Sequence, residues 1–124
     1  MPAIPFAAEV SGSRELATIE LRGDINAPAE SGLADAYARA AALDAAAVLL
    51  DFTWAAYINS TGIALIVRLL ADARKDHRDV RACGLTPHYV EIFQITRLSD
   101  YMRIFDDPAS AAVPVGTTTR GVGA

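Results

Sequence analysis

Residues 47–70, AVLLDFTWAAYINSTGIALIVRLL, restrict the possible folds more than any other stretch of the chain. Residues 47–52 read as a strand, and because Val48, Leu49 and Leu50 run without a polar interruption, that strand should be covered on both faces. A short loop follows, and then an amphipathic helix over about 61–76 that opens at Ser60-Thr61-Gly62. A hydroxyl pair therefore falls where the free N–H groups of a helix point outward, a place that suits a cap and equally a phosphoryl group.

The flanking sequence extends this strand-helix alternation. Residues 6–10 and 16–22 enclose Ser11-Gly12-Ser13-Arg14, a turn-rich spacer short enough to close a hairpin. In the second strand Ala17, Ile19 and Leu21 share one face while Thr18, Glu20 and Arg22 share the other, so one side is wet. A helix follows, with Asn26 as its expected cap and Pro28 in the first turn. Leu33, Tyr37, Ala40 and Ala41 face inward, and Asp35 and Arg39 form an exposed i,i+4 pair.

In the helix over 61–76 the core stripe reads Ile63, Ile66, Val67 and Leu70. Leu65 and Leu69 lie on a flank that one contact would not need, so either a second buried surface or a neighbouring helix covers them. Residues 80–83 make a fourth strand, and Thr86 caps a third helix with Pro87 at its first position and Val90, Ile92 and Phe93 inside. That helix ends near Thr96-Arg97-Leu98, where a left-handed Arg97 is expected at a cost of about 1 kcal/mol. Residues 102–105 form a last short strand, Asp107-Pro108 starts a helical turn through 113, and residues 115–124 carry little to bury.

Three motifs in order, Gly23-Asp24-Ile25-Asn26, Asn59-Ser60-Thr61-Gly62 and Ala82-Cys83-Gly84-Leu85-Thr86-Pro87, resemble the signatures of the sulfate transporter and anti-sigma antagonist (STAS) family. The resemblance spans roughly residues 7–105. It implies an α/β domain, a small mixed sheet with helices packed mainly on one face and the N-terminal hairpin at the edge, over residues 1–108 with a C-terminal tail over 109–124. The function it implies is that of an anti-sigma factor antagonist. Such a protein binds an anti-sigma serine kinase of GHKL ATPase type, releases sigma factor, is switched off by phosphorylation and is restored by a PP2C-type phosphatase.

By the resemblance the phosphorylated residue is Ser60, with Thr61 second. The partner face is then Asp24, Asn26, Tyr57, Ile58, Asn59, Ser60, Thr61, Gly62, Leu65 and Leu69. Asn26 and Asn59 stand where the family carries aspartates. The alternative is a STAS scaffold or ligand-binding module, stressosome-like or a lipid-transport accessory, in which Ser60 is only a cap.

Bulk properties narrow the choice. A length of 124 residues with 52% apolar content fits one domain with a real core. A net charge of −4 without a basic run disfavours nucleic acid. The longest uncharged run, residues 52–67, falls short of the roughly 20 apolar residues a membrane span needs. Without a signal-peptide pattern at Met1-Pro2-Ala3, and with a single cysteine, the expected location is cytoplasmic. His77 and His88 have no ligand spacing, Cys83 reads as a buried small hydrophobe, and no nucleophile elbow surrounds Ser60. No enzyme activity, cofactor or metal is expected, and the chain should act as a monomer or weak homodimer.

Overall fold

Strand alternation and Gly-rich turning at the N-terminus produce an antiparallel hairpin of β1 (Ala7–Gly12) and β2 (Leu16–Ile25), in register from Ala7 opposite Arg22 to Gly12 opposite Ala17. The computed structural model describes residues 4–113. After β2, a 3-10 turn (Ala27–Ala29) leads into α1 (Glu30–Ala42). Then come β3 (Ala47–Ile58), α2 (Ser60–Lys75), β4 (Asp79–Cys83), α3 (Pro87–Ile95), a second 3-10 turn (Leu98–Asp100), β5 (Arg103–Phe105) and α4 (Pro108–Ala111).

The sheet runs β1-β2-β3-β4-β5, with β2 to β5 parallel. Each crossover steps in the same direction. Because such connections are right-handed, α1, α2 and α3 all land on one face of the sheet.

On that face Ile19, Leu21, Val48, Leu50 and Ala82 of the sheet meet Leu33, Ile66, Leu70 and Phe93 of the helices in one buried cluster. Phe52 meets Phe93 edge to face, with ring centroids 5.7 Å apart. The other face holds only a small cluster of Leu49, Cys83 and Ala111, closed by α4. Arg81, fully buried on β4, donates to the carbonyl oxygens of Ala111 (2.7 Å) and Val113 and pairs with Asp79 at 3.0 Å. Residues 109–113, assigned above to the tail, are thus held on the sheet; residues 114–124 lie outside the described residues.

Three local expectations change. β3 does not end at Phe52: residues 53–58 pair with the outer end of β2, which itself runs to Ile25 rather than Arg22, through register shifts after Glu20 and Gly23. β4 stops at Cys83 opposite Asp51, so this extension has a strand neighbour on one side only. Asn26 is not a side-chain cap. It precedes the 3-10 turn, and only its carbonyl bonds, to Ala29 N–H at 2.9 Å.

In α2 the buried stripe is Ile66, Leu69, Leu70 and Ala73, while Val67 is 47% exposed. The cause is α1, whose Leu33 and Tyr37 meet Leu65 and Leu69; the wide apolar coverage of α2 is explained by a neighbouring helix. Arg97 is left-handed as expected, with φ 67°. Asp44 (φ 54°) and His77 (φ 59°) are left-handed too, so all three long helices close on a non-glycine residue.

Glycine adopts this conformation without a Cβ clash, offset by its larger chain entropy. His77→Gly and Arg97→Gly are each expected to raise the unfolding free energy by about 0.5–1 kcal/mol, read from urea midpoints at constant m. Burial, followed by the Asp51 charge, pushes the Cys83 thiol up to about 12 from 9.0. Burial and the bond to Asp76 raise Tyr37 to about 12 from 10.0. Since the unfolded chain loses these protons first, stability should be intact below pH 9 and fall as pH climbs toward 12. Titrating the urea midpoint upward from neutral pH checks this, and Cys83→Ala should remove part of the slope.

Candidate functional site at the start of the second helix

At the C-terminal ends of β2 and β3 the chain turns into α2 with extended backbone at Asn59 (φ −94°, ψ −177°), the conformation of an N-cap. Asn59 Oδ1 accepts the Gly62 N–H at 2.8 Å, and its carbonyl accepts the Ile63 N–H at 2.9 Å. The cap is therefore Asn59, not Ser60. Ser60 occupies the first helical position with its side chain exposed, and Thr61 beside it is exposed as well. Capping leaves the N–H groups of Ser60 and Thr61 as the outward donors of the first turn, at the positive end of a 16-residue helix.

Gly62 faces inward. A Cβ there would stand 1.9 Å from the Ile25 carbonyl oxygen, so α2 touches the end of β2 with no room for a side chain. That oxygen also accepts the Asn59 N–H at 3.3 Å. The end of β3 is fixed from the other side, where Ile58 N–H donates to Tyr89 Oη of α3 at 3.0 Å.

These contacts sort the expected partner face. Tyr57 (56% exposed), Ser60 and Thr61 stand in solvent, with Asn59 and Asn26 half-buried beside them. Ile58, Gly62 and Leu69 are buried and offer no surface: Ile58 and Leu69 belong to the core, and Gly62 rests on Ile25. Leu65 is half-buried toward α1. Asp24 is half-buried and tied to the N-terminal segment, accepting from Ile4 N–H at 3.0 Å while its own N–H donates to Ile4 O at 2.9 Å.

Two surface features were not anticipated. Trp54 is 58% exposed, its ring 5.6 Å from the Arg22 guanidinium carbon; period-two alternation from Phe52 would have buried it, and the register shift turns it out. Val67 is exposed on the same side of α2 as Ser60, since seven residues return to nearly the same helical angle. Among the described residues no group of three or more His, Cys, Asp or Glu stands close enough to hold a metal ion. Nor is any helix among them long and apolar enough to cross a membrane. His77 and His88 are exposed.

A family model described as "Mlab, STAS domain" matches residues 8–105. Among solved structures, an anti-sigma factor antagonist from Mycobacterium paratuberculosis is similar with a TM-score of 0.73 at 14% identity, covering 86% of this chain and 91% of that one. The anti-sigma factor antagonist SpoIIAA in its unphosphorylated form is similar with a TM-score of 0.63 at 17% identity, covering 87% and 94%. The Bacillus cell fate determinant SpoIIAA in the phosphorylated form has a TM-score of 0.60 at 16% identity, covering 86% and 96%. At these identities the likeness is one of fold. No curated protein matches the sequence.

The division of labour between Asn59 and Ser60 is measurable. Asn59→Ala should destabilise the fold by about 1 kcal/mol, the usual worth of a side-chain cap, and Ser60→Ala by only a few tenths. Equal losses in denaturant titrations of the two variants would contradict the assignment of the cap.

Proposed function

The chain belongs to the STAS domain family, and from that membership we propose that it is an anti-sigma factor antagonist whose partner binding is switched by phosphorylation of Ser60. Its partner in this reading is an anti-sigma serine kinase of GHKL ATPase type, which it draws away from sigma factor. A PP2C-type phosphatase reverses the modification. ATP and its magnesium belong to the kinase, so the chain is substrate and ligand, acting as a monomer or weak homodimer.

The observation that carries this reading is the exposed hydroxyl of Ser60 at the first position of α2, relieved of capping by Asn59. A kinase can reach it without unfolding the helix. The docking face is best drawn from Tyr57, Asn59, Ser60, Thr61 and Val67, with Asn26 at its border, in place of the buried Ile58, Gly62 and Leu69.

Magnitudes favour a switch at this place. A phosphoryl group adds about −1.5 to −2 charge. At home the helix terminus stabilises a charge by about 0.3–1 kcal/mol, so the fold tolerates it. Against a partner surface that expels water, an unpaired charge costs about 2–5 kcal/mol, and the partner is lost.

A second reading, a STAS scaffold or ligand-binding module without the switch, draws on Asn26 and Asn59. A kinase that recognises carboxylates flanking its target finds amides here. The description "Mlab" carried by the matching family model leaves that reading in play.

Incubating the chain with the GHKL-type kinase encoded beside it, ATP and magnesium, followed by peptide mass mapping, separates the two readings. Phosphate on Ser60, lost in Ser60→Ala, together with binding weakened about 30-fold or more in Ser60→Asp, is the expected result. A tight complex indifferent to Ser60→Asp would overturn the switch and leave the scaffold.

A further inference from the structure

Away from Ser60, toward the C-terminal half of α2, the surface changes character. Val67 and Ala71 of α2 and Leu98 and Tyr101 of the following turn line an apolar slot of about 310 Å³ between α2 and the end of α3. Val67 and Tyr101 are 47% and 57% exposed, so these side chains are left in water. Through Leu70, Arg74 and Tyr101 the slot opens into a wider hollow of about 650 Å³.

The walls of the two hollows together carry Arg74, Arg78, Arg97 and Arg103 against Asp79 and Asp100, four cations to two anions, in a chain whose net charge is −4. Both aspartates are already engaged. Asp79 is bridged by Arg81 (3.0 Å) and Arg103 (2.9 Å), and Asp100 is bound by Arg97 at 2.7 Å. Arg74 has no carboxylate partner among the described residues and lies over the Tyr101 ring, 5.4 Å from its centroid. Arg78 Nε is buried without a hydrogen-bond partner.

We propose that this groove docks an acidic amphipathic helix of a partner protein, its apolar side chains entering the slot between Val67, Ala71 and Tyr101 and its carboxylates meeting Arg74 and Arg78. Val67, Ala71 and Arg74 stand at i, i+4 and i+7 on α2, a track of about 10 Å that matches two turns of a packed helix. The excess of arginine selects carboxylates on the incoming segment. The apolar surface is recessed between elements rather than protruding, which suits a helix better than a bilayer, and the two aspartates on the rim oppose a phosphate-rich strand. Arg74 lies 14 residues from Ser60, about 21 Å along the helix, so this surface does not depend on the switch reading.

The test uses the whole chain, isotope-labelled, with two synthetic 16-residue helical peptides. Both carry leucines at i, i+4 and i+7; one has glutamate at its exposed positions and the other has lysine there. Amide shifts should cluster at Val67, Ala71, Arg74, Leu98 and Tyr101 with the glutamate peptide alone. Arg74→Glu, an exposed site that spares the fold, should weaken binding about tenfold, and Ser60→Asp should leave it unchanged. The proposal is overturned if both peptides or neither move these resonances, or if Arg74→Glu has no effect. It is likewise overturned if anionic vesicles or duplex DNA, and not the peptide, move them.

Discussion

The carbonyl of Ile25 is the point on which the rest of the site turns. It ends β2, accepts the N–H of Asn59, and lies against Gly62 so closely that no Cβ fits. With Gly62 pinned inward, helical geometry turns Thr61 about 100° and Ser60 about 200° away from the sheet. Exposure of the two hydroxyls is therefore a consequence of backbone contact, not of local polarity. The parallel register of β2 on β3 sets the same point from below, because Ile25 stands opposite Ile58, the residue before the cap.

The opposite face of the sheet depends on a different interaction. A buried guanidinium is costly unless its hydrogen bonds are met, and Arg81 meets most of them with Asp79 and the carbonyls of Ala111 and Val113, leaving Nη2 without a partner. That arrangement draws α4 over Leu49 and Cys83, a patch too small to hold a strap by apolar burial alone. Truncating Arg81 would leave Asp79 and two carbonyls without their donor, so the arginine is better understood as fixing where the C-terminal turn lies than as adding net stability.

Much of this was legible in the residues. Alternation in β2, the unbroken run of β3 and the Thr86-Pro87 start of α3 each carry a local physical cause, and the left-handed Arg97 followed from a helix that had to stop without a glycine. What escaped depends on contacts between distant segments. The extension of β3 to Ile58 exists because β2 lengthens to meet it, and Trp54 is exposed because a register shift interrupts the two-residue period. Leu69 read as surplus apolar area until α1 was placed against it. Asn59 and Ser60 are both good caps, and adjacent residues cannot be ranked by propensity alone; the choice is made by where Gly62 must sit.

That choice has an electrostatic side. Asn59 Oδ1 satisfies the Gly62 N–H as an aspartate oxygen would, but without a charge, so the positive end of α2 is not neutralised by its own cap. A carboxylate at this position would gain from the helix terminus and would then repel a phosphoryl group on the next residue. With an amide, the terminal field and the N–H groups of Ser60 and Thr61 are available to an incoming anion. The substitution therefore shifts the balance toward the modified form within this chain, while removing a charge that a cationic kinase surface could have paired with. Stability of the phosphorylated state and recognition by the enzyme that makes it are opposed by the same atom, and at about 0.3–1 kcal/mol the terminal field is the smaller of the two compared with a desolvated ion pair at an interface.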